Sequence, residues 1–122
     1  MSRRGVILFG HGSRDPAWRA TMDAVAHRTA EKAPGTAVVC AFLELQEPDF
    51  PAAVAQLASE GTEHVTVLPM FLGAGKHARQ DLPALVRAAR ATHPGIGFTV
   101  LPSAGELPEV IDMLAESTLR SS

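Results

Sequence analysis

Two histidines follow glycine-rich segments, where the backbone can adopt unusual dihedrals and come close to a ligand. His11 sits in Gly10-His11-Gly12-Ser13-Arg14-Asp15-Pro16, and His77 closes Phe71-Leu72-Gly73-Ala74-Gly75-Lys76-His77. Neutral imidazole suits Fe²⁺, Co²⁺, Ni²⁺, Cu²⁺ and Zn²⁺, and a pair of histidines with one carboxylate leaves coordination positions open to a second molecule. Glu44, in Phe42-Leu43-Glu44-Leu45-Gln46-Glu47-Pro48, is the candidate carboxylate. These residues also admit plainer roles. His11 can hydrogen-bond a turn, and Gly10-His11-Gly12 can cradle a phosphate at the start of a helix.

The other catalytic patterns fail on particular residues. The G-x-G at Gly10 lacks the third glycine of a dinucleotide fingerprint. Gly75-Lys76 has Met70 where a Walker loop needs its first glycine and His77 where it needs Ser or Thr. Ser13 is not in a G-x-S-x-G elbow, and Gly10 stands where a histidine phosphatase would carry arginine. His27, His64 and His93 fall in a helix, at a strand start and at a helix end, and read as surface residues.

The candidate ligands are far apart in the chain, so the elements around them must bring them together. Apolar runs at 5–9, 37–43, 64–70 and 97–101 read as strands. Between them Trp18, Met22 and Val25, then Phe50, Val54 and Leu57, then Leu82, Leu85, Val86 and Ala89 recur at helical spacing. Leu107, Val110, Ile111 and Leu114 repeat it near the C-terminus, and each stripe is expected to be buried. Asp15-Pro16 reads as a helix start, while Pro34-Gly35, Gly61 and Pro94-Gly95 read as stops.

Strands alternating with helices predict an α/β fold with a parallel sheet. The strands are apolar runs without strict alternation, which predicts helices on both sheet faces in a three-layer, flavodoxin-like domain. The simplest strand order is 2-1-3-4. It makes strands 1 and 3 neighbours at a topological switch point, with ligands expected beyond their carboxyl ends. In that order the turns carrying His11 and His77 face each other, and Glu44 is next door at the end of strand 2.

Composition narrows the partners. With 122 residues and 46% apolar content, residues 1–122 are expected to form one domain without a linker. A net charge of −2 with no basic run argues against nucleic acid. The one cysteine, Cys40, lies in an apolar run and reads as a small core residue, excluding a disulfide framework within the chain and a thiolate metal site. No apolar stretch is long enough for a signal peptide or a membrane span, so a soluble cytoplasmic protein is expected.

Three segments in order carry a family resemblance: Leu8-Phe9-Gly10-His11-Gly12-Ser13-Arg14, Ala41-Phe42-Leu43-Glu44 followed by Pro48, and Val67-Leu68-Pro69-Met70-Phe71-Leu72-Gly73 through Lys76-His77 to Asp81-Leu82-Pro83. Together they make nearly the whole chain resemble the small CbiX-type sirohydrochlorin chelatases, single-domain relatives of the cobalt and iron chelatases of cobalamin and siroheme synthesis. The resemblance implies a chelatase-like doubly wound domain in which His11 and His77 bind the metal, with an acidic residue matched by Glu44 beside them. It implies an enzyme that inserts Co²⁺ or Fe²⁺, with Ni²⁺ a further option, into sirohydrochlorin. The metal is then a substrate, and no organic cofactor is expected.

Insertion requires the pyrrole N–H protons to leave, and His11 or Glu44 can accept them, since both residue types can be tuned to work near neutral pH. The peripheral carboxylates of such a tetrapyrrole call for cations and backbone N–H groups, for which Ser13, Arg14, Lys76 and Arg79 are candidates. Phe71 and Leu72 can offer an apolar platform, as can Trp18 and Met70. The larger relatives carry a second domain facing the first, so a homodimer with facing crevices is expected here. A metal or tetrapyrrole carrier without turnover is the alternative, and a flavodoxin-like phosphate or nucleotide binder is a weaker one.

Overall fold

The three strands that must position the ligands are neighbours. In the computed structural model, which describes residues 3–73 and 75–120, β1 (Arg4–Gly10) pairs in parallel with both β2 (Ala37–Phe42) and β3 (His64–Pro69). Leu8 is opposite Cys40 on one side and Leu68 on the other. β4 (Gly97–Val100) joins β3, completing the sheet order 2-1-3-4 predicted from the sequence. Residues 77 and 78 are described in their backbone only.

Each face has its own core because successive side chains on a strand point to opposite sides. Ile7, Phe9, Val65 and Val67 pack with Phe50, Val54 and Leu57 of α2 (Phe50–Ser59) and with Leu82, Val86 and Ala89 of α3 (Lys76–Thr92). Phe9 anchors this layer, with its ring edge-on to Phe50 at 5.8 Å and to Phe71 at 6.2 Å. The opposite face buries Leu8, Cys40 and Phe42 with Met22 of α1 (Ala20–Lys32). Burial pushes the Cys40 thiol pKa up, with Asp23 adding to the shift and Arg19 opposing it.

Local chemistry sets the helix boundaries. Asp49 accepts a hydrogen bond from the Ala52 N–H at 2.9 Å, and Pro51 occupies the first turn of α2. Gly35 and Gly61, just past the ends of α1 and α2, have positive φ. Asp15 likewise accepts from the Ala17 N–H at 3.0 Å, but the helix it starts is a 3₁₀ turn over Pro16–Arg19. The Trp18–Met22–Val25 stripe is corrected accordingly: Trp18 lies in the 3₁₀ turn and is exposed, Val25 is half-buried and Met22 alone is buried.

The C-terminal stripe also differs from expectation. A 3₁₀ turn at Ala104–Glu106 leads into α4 (Pro108–Leu119), none of whose residues is buried. Ile111 and Leu114, read as buried, are 53% and 44% exposed. Among the described residues the main packing partner of α4 is the turn that precedes it. Helices therefore cover both faces of β1 and β2, whereas the α1 side of β3 and β4 is not covered as the sequence led us to expect. No described helix is long and apolar enough to cross a membrane.

Candidate metal centre

His11 leaves the carboxyl end of β1 into a turn that is fastened to the segment after β2. The Leu43 N–H donates to the Gly10 carbonyl at 2.9 Å and the Glu44 N–H to the His11 carbonyl at 3.1 Å, extending the β1–β2 pairing past the strand ends. Gly12 has φ +99, and a Cβ there would run into the Glu44 carbonyl oxygen. Only glycine permits both that dihedral and that approach. The Ser13 N–H then donates to the Gln46 side-chain oxygen at 3.2 Å, and the Asp15 N–H to the Ser13 hydroxyl at 3.1 Å. The backbone is thus committed before any side chain meets a ligand.

This scaffold sets His11 Nε2 3.3 Å from Glu44 Oε1, with the two side chains 51% and 56% exposed. A carboxylate in that position can fix the imidazole orientation and share a bound cation or a proton with it. Both groups are open to solvent and therefore to an incoming molecule. No cluster of three metal-ligating side chains occurs among the described residues. His77 falls in the first turn of α3, and its side chain lies outside the described residues.

The third segment arrives from β3. The Met70 N–H donates to the Phe9 carbonyl at 2.7 Å, which holds the start of the β3–α3 connection against β1. α3 begins after Gly75, an N-cap residue that makes no side-chain hydrogen bond to the first N–H groups, and N–H groups at a helix start suit an anion. Lys76 and Arg79 are exposed on its first turn, and Arg14 is exposed on the His11 segment. Arg79 also borders a groove of about 650 Å³ that runs between α3 and β4 and is lined by neither His11 nor Glu44.

The proposed apolar platform divides in two. Phe71 is half-buried against Phe9, while Leu72 is 77% exposed. Sequence reasoning missed two residues here. Leu45 is exposed and held at φ 68, an unusual conformation for a branched side chain, and Gln46 tethers the His11 turn through its amide. Neither belongs to a pattern legible in the sequence, because both depend on the contact between two separate segments.

An open parallel α/β sheet thus places a histidine and a carboxylate beyond the carboxyl ends of adjacent strands, beside the β1/β3 switch point where ligands of such folds bind. The chain belongs to the CbiX family, whose model matches residues 5–121. It is 36% identical over 81 residues to a sirohydrochlorin cobaltochelatase of Methanopyrus kandleri, covering 66% of this chain and 57% of that relative. It is 28% identical over 110 residues to a chloroplastic sirohydrochlorin ferrochelatase of Arabidopsis thaliana, covering 90% of this chain and 49% of the relative. The chain thus spans about half the length of these relatives.

Among solved structures, a protein described as a cobalamin (vitamin B12) biosynthesis CbiX protein from Marinobacter aquaeolei VT8 is similar with TM-score 0.76 and 33% identity. The match covers 97% of this chain and 99% of that one. The sirohydrochlorin chelatase SirB from Bacillus subtilis subspecies spizizenii, in complex with cobalt, shares the fold with TM-score 0.79 at 24% identity. Here the match covers 96% of this chain but 50% of SirB.

Proposed function

We propose that this chain is a sirohydrochlorin chelatase that inserts Co²⁺ or Fe²⁺, with Ni²⁺ a further candidate, into the tetrapyrrole. The observation that carries this reading is the solvent-open His11–Glu44 pair, 3.3 Å apart, beyond the ends of β1 and β2 and beside the β1/β3 switch point of a CbiX-family fold. The names of the relatives, cobaltochelatase and ferrochelatase, support both metals. The same reading takes residues 1–122 as one chelatase-like domain that acts in the cytoplasm.

In this mechanism His11 and His77 hold the incoming metal and Glu44 lies beside it. Few protein ligands suit a metal that must leave, because each additional one would deepen the bound state relative to the product. The inner pyrrole N–H protons depart as the metal moves to the ring nitrogens, and His11 or Glu44 accepts them. Arg14, Lys76, Arg79, the Ser13 hydroxyl and the uncapped start of α3 meet the peripheral carboxylates. Leu72, Phe71 and the exposed Leu45 meet the macrocycle's apolar faces. One crevice open on this side encloses little of a flat ring, so a second copy closes over it as a homodimer.

The test mixes the protein anaerobically with sirohydrochlorin and each metal and follows the tetrapyrrole absorbance. Catalytic turnover is expected with at least one metal. Stoichiometric binding without turnover would favour a carrier, and no acceleration with any of the three metals would refute the enzyme. Light scattering that found a fully active monomer would refute the dimer.

A further inference from the structure

α3 covers β4 only in part. Phe98 of β4 is buried in the core shared with α3. Val100, two residues on and therefore on the same face, is 42% exposed. Between this end of β4 and the helix lies the groove of about 650 Å³, a volume suited to a small organic molecule. Phe71, Pro83 and Leu101 extend its apolar surface beyond Val100, over the buried Leu82 and Val86.

Helical spacing builds the α3 wall. Arg79, Leu82, Pro83, Val86, Arg87 and Arg90 recur at intervals of three and four residues or fewer and share one side of the helix. Leu82 and Val86 turn into the core, whereas Arg79, Arg87 and Arg90 are exposed along the rim. None of the three arginines joins an ion pair among the described residues. Arg90 is held in place by donating from Nη2 to the Phe98 carbonyl at 3.1 Å, which engages only part of its guanidinium. Among the described residues of the lining Glu106 is the one carboxylate, so a chain of net charge −2 gathers an excess of cations around an apolar floor.

That combination selects a ligand by its chemistry. An apolar floor gives a bare inorganic anion nothing to hold, and a compact phosphate is better served by clustered backbone N–H groups than by cations spread along a helix. At a rise of about 1.5 Å per residue, Arg79 and Arg87 stand roughly 12 Å apart along the axis, and Arg79 and Arg90 roughly 16 Å. The rim therefore matches acidic groups at two ends of one molecule. Guanidinium suits carboxylate in particular, because its planar fork meets both oxygens at once.

We propose that the groove between α3 and β4 is a second ligand site, separate from the His11–Glu44 pair, for an elongated organic dicarboxylate with an apolar body. One carboxylate meets Arg79, the other meets Arg87 and Arg90, and the body lies on Val100, Phe71 and Pro83. Glu106 repels any further acidic group on its own lip. Such a ligand is either a free long-chain dicarboxylic acid or part of a larger acidic molecule, such as the tetrapyrrole proposed above. Arg79 is shared with the substrate contacts of that reading, so experiment must separate the two sources.

The probe is dodecanedioate, whose extended chain separates its carboxylates by a span comparable to that of the arginines, titrated calorimetrically into the full chain without metal. Saturable one-to-one binding with Kd below about 1 mM is expected, weakening as salt is raised. Arg87→Glu, at an exposed helix position, and separately Val100→Asn should each raise Kd at least about tenfold, with folding checked by circular dichroism. His11→Ala should bind dodecanedioate as the unsubstituted chain does. Dodecanoate, with one carboxylate, and inorganic phosphate, with no apolar body, should bind at least about tenfold more weakly. Sirohydrochlorin that displaces dodecanedioate from the His11→Ala chain would assign the groove to the acidic groups of the tetrapyrrole, and undiminished binding would assign it to a free dicarboxylate; the site stands in both cases. No binding, equal affinity for dodecanoate or phosphate, or undiminished binding by Arg87→Glu would overturn the proposal. So would a dimer, seen by light scattering, that Arg87→Glu dissociates, since a second copy would then occupy the groove. Neither metal nor turnover enters these measurements, so failure here leaves the insertion reaction standing and failure of insertion leaves this site standing.

Discussion

Gly12→Ala should damage the proposed metal site without altering any of the residues proposed to hold the metal. At φ +99 an alanine pays steric strain of roughly 1–3 kcal/mol. Its Cβ also meets the Glu44 carbonyl, so the two segments must separate. Separation weakens the Glu44-to-His11 and Ser13-to-Gln46 hydrogen bonds, at about 1 kcal/mol each. Relaxation of exposed loops recovers part of this, leaving a net loss of about 2–4 kcal/mol and a fall in Tm on the order of 10 °C. Moving His11 by about 1 Å relative to Glu44 should cost turnover roughly a hundredfold. Thermal melts and the tetrapyrrole absorbance assay measure the two effects. Gly73→Ala is the control: a Cβ there meets nothing within 4 Å, and the change should stay within about 0.5 kcal/mol. If Gly12→Ala melted within about 1 °C of the parent and turned over normally, the locked-turn reasoning would be refuted.

His11→Ala should abolish metal-dependent acceleration and cost less than about 0.5 kcal/mol of stability, because the side chain is half exposed; retained turnover would remove it from the site. His77→Ala should do the same to turnover, read in the same assay, and unchanged rates in both variants would show that the site is wrongly assigned. Cys40 should react with a thiol reagent far more slowly in the native chain than in denaturant, since burial raises its pKa and leaves less thiolate at neutral pH; equal rates would contradict its buried place. Asp49→Ala should lose about 1 kcal/mol with the cap of α2, seen as a Tm lowered by several degrees. An unchanged melt would show that the cap is unimportant.

Much of the framework was legible in the sequence because short-range physics writes it there. The apolar runs gave strands within one or two residues of those observed, and Gly35 and Gly61 mark helix ends that positive φ enforces locally. Helix-period stripes located α2 and α3 on the buried face. Where the same rule failed, a competing preference had won. Asp15-Pro16 started a 3₁₀ turn that carries Trp18 out of the α1 stripe. In α4, periodicity showed an apolar side but had no means of saying which surface it meets.

The candidate site divides along the same line. Residue type and glycine spacing singled out His11, Glu44 and His77, because imidazole and carboxylate chemistry and the need for an unhindered backbone are properties of the residues themselves. Strand order could also be inferred, since few right-handed α/β connections are available to a chain of this pattern. Only the tertiary structure decided that Gly12 meets the Glu44 carbonyl, that Gln46 tethers the Ser13 amide, and that His11 Nε2 lies 3.3 Å from the Glu44 carboxylate. Those contacts join segments more than thirty residues apart. Their geometry is set by β1–β2 register, which no local pattern encodes, and by the packing that holds it.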